Sequence, residues 1–164
     1  MNKIKILPDN IINQIAAGEV VENPSSVVKE LIENSIDSNA SSIKIIIKNG
    51  GHDLIEVIDD GLGMNSEDLL LSFSRHATSK IKDKDDLNNI NSLGFRGEAL
   101  PSIASVSRVN ALTSDGNGGY EIAIDKGEVV KREKSAINKG TNIKIKNLFY
   151  NTPARKKFLK SPSQ

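Results

Sequence analysis

Glu30, Asn34 and Asp37 stand at i, i+4 and i+7, a spacing that puts all three on one face of a helix. Val28, Leu31, Ile32 and Ser35 cluster roughly opposite. Glu30 and Asn34 are then about 6 Å apart along the axis. That separation suits a carboxylate orienting a water beside an amide oxygen that coordinates a phosphate-bound metal. It equally describes a solvated polar helix face. A second feature is Asp59-Asp60-Gly61-Leu62-Gly63, where a strand ends and two close glycines let the backbone approach something flat, such as a base ring. A carboxylate there can accept a hydrogen bond from an exocyclic amino group, though an Asp-Gly turn is the commoner role. A third is Gly94-Phe95-Arg96-Gly97 opening a helix at Glu98, where unpaired amides and flanking glycines suit a phosphate. It is neither a Walker A loop nor a dinucleotide fingerprint, because the Gly-Lys-Ser/Thr ending and the Gly-x-Gly-x-x-Gly string are missing. EF-hand spacing is missing too.

The elements that must position these residues can be predicted locally. Asn23-Pro24-Ser25-Ser26 reads as a helix start, a capping side chain followed by an early proline, and opens a helix over 27–37. Ser38-Asn39-Ala40 closes it, Asn39 tolerating the left-handed conformation on which helices end. Two Ile-rich strands follow, over 43–48 and 54–58, joined by the hairpin signal Asn49-Gly50-Gly51-His52. Ser66-Glu67-Asp68 caps a helix over 69–74. Residues 75–96 are polar, with one weak helical segment near 85–90, and read as a lid or binding loop. A helix over 98–106 takes Pro101 near its first turn, where proline costs least. Strand-like runs follow near 109–113, 120–125, 128–131 and 141–146. Residues 7–21 carry a further helical stripe. The pattern predicts an α+β fold, a two-layer α/β sandwich with a mixed, mostly antiparallel sheet.

Composition bounds the chemistry. The 164 residues suffice for one domain, with a core built from Ile, Leu and Val because Trp is absent and aromatics are 4%. With no Cys there is no disulfide, thiolate metal site or cysteine nucleophile, and two His are few for a zinc site. No apolar run approaches the ~20 residues of a membrane span. The expectation is a soluble, cytoplasmic domain. The net charge of +1 is unevenly placed: residues 126–164 carry 11 Lys/Arg against 2 Asp/Glu. That basic third suits DNA or an acidic neighbouring domain, or is simply a set of solubilising strand faces.

Each motif alone is weak, but their order is not. Glu-x-x-x-Asn on a helix, Asp-x-Gly-x-Gly after a strand, a lid ending in Gly-x-x-Gly, and Gly140-Thr141 before a strand together resemble the GHKL ATPases, a superfamily of gyrase B subunits, a heat-shock chaperone, sensor histidine kinases and MutL. Longer strings resemble the MutL family, and its bacterial members in particular: residues 13–21 (NQIAAGEVV), 74–80 (SRHATSK), 94–100 (GFRGEAL) and 147–155 (NLFYNTPAR). A histidine kinase would need a phospho-accepting His on a dimerisation helix, and His76 lies in the lid stretch instead.

The resemblance implies a Bergerat-type fold spanning 1–164 with a lid at about 75–97. It also implies ATP and Mg²⁺ as ligands. Glu30 would be the general base, with Glu33 a sequence-level rival, and Asn34 would hold Mg²⁺. Asp59 would take the adenine amino group, with Gly61 and Gly63 beside it and Thr141 supporting it through a water. Thr78, Ser79 and Lys80, with Gly94, Arg96, Gly97, Glu98, Ala99 and Leu100, would surround the phosphates. Three positions depart from the family pattern: Asp60 for the usual Asn adds a charge beside the pocket, Asn39 replaces a Gly, and Pro101 replaces a small helix former.

MutL proteins continue past the segment matching 149–159 into a second domain that supplies a Lys to the γ-phosphate, then a C-terminal dimerisation domain. The chain therefore reads as a fragment that keeps most of the pocket. In a full-length homodimer, ATP would order the lid, close a clamp on DNA and signal from a mismatch-sensor protein to downstream repair enzymes. Arg155, Lys156, Lys157 and Lys160 would line the DNA path, although Phe158 and Leu159 suggest packing there. The fragment itself is expected to be a monomer or weak dimer. It is either a slow Mg²⁺-dependent ATPase or a nucleotide-binding interaction module with negligible turnover.

Overall fold

In the computed structural model, Asn23 caps the first helix, its side-chain oxygen accepting the Ser26 N–H at 3.0 Å, and Pro24 opens the helical run. The structure describes residues 21–74, 99–157 and 159. The stripe expected over 7–21 is thus outside the described residues except at Val21, and so is the lid stretch from 75 to 98. Helix α1 spans Pro24–Asp37 and ends as its sequence predicts, with Asn39 in the left-handed region at φ 60°. Strands β1 (Ile43–Lys48) and β2 (Leu54–Asp59) follow, joined by a single 3-10 turn over Asn49–Gly51. Helix α2 covers Ser66–Ser72, and its cap is Asn65, not Ser66: the Asn65 side chain accepts the Asp68 N–H at 2.8 Å.

Helix α3 (Ala99–Ser105) is buried from Pro101 onward. Strands β3 (Arg108–Ser114), β4 (Gly119–Asp125), β5 (Glu128–Ser135) and β6 (Gly140–Lys146) complete the sheet, and a short helix α4 covers Pro153–Lys157. The six strands lie in the order β1-β2-β6-β3-β4-β5, and all five ladders are antiparallel. The two-layer α+β architecture holds, while the mixed component expected of the sheet has no counterpart among the described strands. The reason is topological. β6 returns from the far edge and inserts antiparallel between β2 and β3, so no parallel crossover is needed. No described helix is long and apolar enough to cross a membrane.

Register sorts the side chains into transverse rows, because residues opposite one another in antiparallel strands share a face. One row on the helix-covered face reads Ile47, Ile55, Ile145, Val109, Ile124, Val129; the next reads Ile45, Val57, Ile143, Ala111, Ile122, Arg132. Their central members, with Val27 and Leu31 of α1, Leu69 of α2 and Ile103 of α3, form the core. The third row reads Ile43, Asp59, Thr141, Thr113, Tyr120, Lys134. It is polar in its middle, at the end of the sheet where β2 stops and β6 starts. The opposite face is charged, carrying Lys44, Glu56, Lys144, Asn110, Glu121 and Lys131 among others.

Chain segments crowd at this polar end. A Cβ on Gly63, which has φ 67°, would collide with the Ser114 carbonyl at the end of β3, and one on Gly140 with the Asp59 carbonyl. Gly63→Ala is therefore expected to cost about 3 kcal/mol or more of unfolding free energy, from strain and backbone clash together. Urea denaturation of the two proteins checks this.

Candidate functional site

Asp59, half-buried at the end of β2, follows two apolar residues of the strand, Val57 and Ile58. Its carboxylate is held at both oxygens. The Ser35 hydroxyl donates to Oδ2 at 2.6 Å and the Gly61 amide donates to Oδ1 at 2.9 Å. Ser35 belongs to the buried stripe of α1, Val27, Leu31 and Ser35, so the helix that packs over β2 also orients its terminal carboxylate. The Leu62 N–H donates to the Ser38 carbonyl at 2.9 Å and ties the following turn to the end of the same helix.

Thr141 is the cross-strand partner of Asp59, and Thr113 is the partner of Thr141 on its other side. The two threonine hydroxyls lie 2.9 Å apart. Thr113 is fully buried; its hydroxyl also receives the Met64 N–H at 2.9 Å and donates to the Gly140 carbonyl at 3.0 Å.

Glu30 and Asn34 are both half-buried on α1, on the flank beside the stripe that carries Ser35. They do not form the fully solvated face that their spacing also allowed. Glu33 pairs with the exposed Lys29 one turn back, at 3.9 Å. Among the described residues no group of three or more His, Asp or Glu forms a metal cage. Asn34 offers a hard amide oxygen of the kind Mg²⁺ accepts when most of its shell comes from phosphate and water.

A Cβ on Gly61 would meet the Ser38 side chain and one on Gly63 the Ser114 carbonyl, so both glycines permit close approach of backbone segments. Asp60, the charge expected beside the pocket, is exposed and its Oδ1 accepts the Ser41 and Ser42 amides at 2.7 and 2.9 Å. One expectation is corrected. Arg155 is not a surface cation of the basic tail. Its guanidinium stacks on Phe149, 4.3 Å from the ring centroid, and donates to the Val21 carbonyl, and burial lowers its pKa against the opposing effect of Glu22. Lys156 and Lys157 are exposed, and Leu159 packs on the core. Ala99 and Leu100 open α3, both half-buried, while Thr78, Ser79, Lys80, Gly94, Arg96, Gly97 and Glu98 lie outside the described residues.

Ser35 and Thr113 are the site residues that sequence reasoning missed. Helical spacing did place Ser35 among the apolar positions, and strand alternation from Val109 through Ala111 points Thr113 inward. A hydroxyl in an otherwise apolar stripe was the signal available at both.

A family model described as histidine kinase-, DNA gyrase B- and HSP90-like ATPase matches residues 22–152. The chain belongs to this ATPase family. Within it, the sequence groups with the ATPase domains of MutL proteins. It is 56% identical over 162 residues to the DNA mismatch repair protein MutL of Bacillus mycoides, and 57% identical over 163 residues to that of Thermodesulfovibrio yellowstonii. Each alignment covers 98% of this chain, but the chain spans only 25% and 30% of those relatives' lengths. The Aquifex aeolicus MutL ATPase domain complexed with ADP superposes with a TM-score of 0.66 at 31% identity, over 88% of this chain and 50% of that one. The N-terminal domain of a DNA repair protein gives a TM-score of 0.73 at 32% identity, over 89% and 42%.

Asp60 gives this GHKL domain a pH-dependent contact. The amides of Ser42 and Ser41 hold its carboxyl below the usual carboxylate range. The folded-state pKa is depressed, so the stabilisation is complete above the unfolded-state pKa and is lost as pH falls through the folded value. Asp60→Ala should therefore be less stable than wild type at neutral pH, with the gap closing only below the ordinary Asp range. Urea midpoints of both proteins between pH 7 and pH 2.5 check the sign.

Proposed function

We propose that this domain binds ATP and hydrolyses it slowly with Mg²⁺, as the nucleotide switch of a mismatch-repair MutL protein. The observation that carries the reading is the Ser35–Asp59 hydrogen bond. It couples a fixed carboxylate, suited to an exocyclic amino group, to the helix that bears Glu30 and Asn34. The likeness to an ADP-complexed MutL ATPase domain supports a nucleotide as the ligand.

In this reading Asp59 accepts a hydrogen bond from the adenine amino group and Thr141 supports the same end of the base. Gly61 and Gly63 shape the turn that carries Asp59. Glu30 removes the proton from the attacking water as its oxygen bonds to the γ-phosphorus and the bond to the ADP oxygen breaks. Asn34 would hold the Mg²⁺, which neutralises charge on the phosphates. Thr78, Ser79 and Lys80, with Gly94, Arg96, Gly97, Glu98, Ala99 and Leu100, are proposed to close over the phosphates. Lid ordering, dimerisation, a clamp on DNA and signalling between mismatch sensor and downstream enzymes are proposed for the full-length protein.

Two substitutions separate binding from chemistry. Asp59→Asn should weaken binding of a non-hydrolysable ATP analogue by about 10- to 100-fold, the value of a hydrogen bond to a charged group. Glu30→Ala should leave that affinity nearly unchanged while lowering phosphate release about 100-fold or more. Calorimetry and a phosphate-release assay read the two effects. Binding with no Glu30-dependent release would make the domain a nucleotide-binding interaction module instead. No binding by the folded wild type would contradict the reading altogether.

A further inference from the structure

The hydroxyl of Thr113 is surrounded by three partners, and their chemistry leaves one arrangement of protons that satisfies them all. A threonine hydroxyl has one proton and two lone pairs. The Met64 N–H can only donate, so it occupies one lone pair at 2.9 Å. The Gly140 carbonyl can only accept, so it takes the single Thr113 proton at 3.0 Å. The third partner, the Thr141 hydroxyl at 2.9 Å, can then only donate into the remaining lone pair. The proton of Thr141 is thereby turned away from Asp59 and toward β3, and only lone pairs of Thr141 are left for anything else. Reversing the Thr113–Thr141 bond would leave the Gly140 carbonyl without that donor, in a site where Thr113 has no exposure to water.

We infer that Thr113 is a positioning residue that fixes Thr141 as a hydrogen-bond acceptor, so that the polar row selects ligands presenting a donor edge. Asp59 and Thr141 are cross-strand partners on one face. Asp59 already receives Ser35 and Gly61, and as a carboxylate it too can only accept. The row therefore offers acceptors at both positions, matching a 6-amino purine, directly or through a water, and opposing a 6-oxo purine. The inference rests on the proposed reading of this row as the site of the nucleotide base. It assigns part of the selectivity to a residue that no ligand touches.

The test compares ATP with inosine triphosphate, which carries a 6-oxo acceptor in place of the amino group. Both are titrated calorimetrically into the wild-type chain and into Thr113→Val and Thr113→Ser. In Thr113→Val the Thr141 proton is released to turn toward the ligand. ATP should bind more weakly and inosine triphosphate more tightly, narrowing the preference about tenfold, the order of one hydrogen bond reversed. Thr113→Ser should keep the wild-type preference. Damage to the scaffold would instead weaken both nucleotides alike, so a folded Thr113→Val with an unchanged ratio overturns the inference. If Thr113→Val does not fold, Thr141→Val against Thr141→Ser decides. Loss of the acceptor must narrow the preference in the first and not in the second, and an unchanged ratio in Thr141→Val overturns the inference as well. A folded wild type that binds neither nucleotide contradicts the ATP reading itself, a result distinct from a normal ATP preference that Thr113→Val fails to move.

Discussion

A carboxylate brought to the end of a strand whose other inward-facing side chains are Ile55 and Val57 must be held by donors, and the arrangement of this end of the molecule follows from that requirement. The Gly61 amide supplies one donor, which requires the chain to turn back immediately after β2. The Ser35 hydroxyl supplies the other, which fixes where along β2 helix α1 can lie. Once α1 is placed by Ser35, Leu31 and Val27 fall onto the apolar rows of the sheet, and Glu30 and Asn34 fall on the adjoining flank. The proposed sites of base recognition and catalysis are thus set relative to one another by a single hydrogen bond between residues 24 positions apart, one on a helix and one on a strand.

The same economy governs the threonines. β6 enters the sheet between β2 and β3, so Thr141 is flanked by Asp59 and by Thr113. Close approach of β2, β3 and β6 is what requires glycine at 63 and at 140. The polar row needs that crowding, because buried hydroxyls remain favourable only when every proton and lone pair finds a partner. On the charged opposite face Lys131 lies between Glu121 and Glu133, and Asn110 donates to the half-buried Glu121 at 2.7 Å.

Features set by local chemistry were legible before the structure. The Asn23 cap, the proline that follows it, the left-handed Asn39 and both Ile-rich strands depend only on neighbours in sequence. β5 was drawn too short, ending at 131 where the strand runs to Ser135, because seven of its eight residues are exposed and an edge strand with no buried side carries no alternation to read. The Asn65 cap was displaced by one residue onto Ser66, an equally good capping type. What no local pattern could give is the insertion of β6, and with it the assembly of Asp59, Thr141 and Thr113 into one row. Asp59 stands out by its place at a strand end before two close glycines, and Thr141 by family resemblance; Ser35 and Thr113 do not, since their hydroxyls acquire a role only through partners 24 to 49 positions away. Arg155 was misread for a similar reason. In sequence it begins a basic run, while in the fold it lies on Phe149.

On the proposed reading, the base of a nucleotide binds at the polar end of the helix-covered face. Amide NMR of the ¹⁵N-labelled chain titrated with ADP tests this most directly. The largest shifts should fall on Gly61, Gly63, Met64, Gly140 and Thr141, with Ser35 following through Asp59. Shifts confined to the charged face, around Arg108, Lys131 and Lys146, or none at all in a folded chain at millimolar ADP, would contradict it.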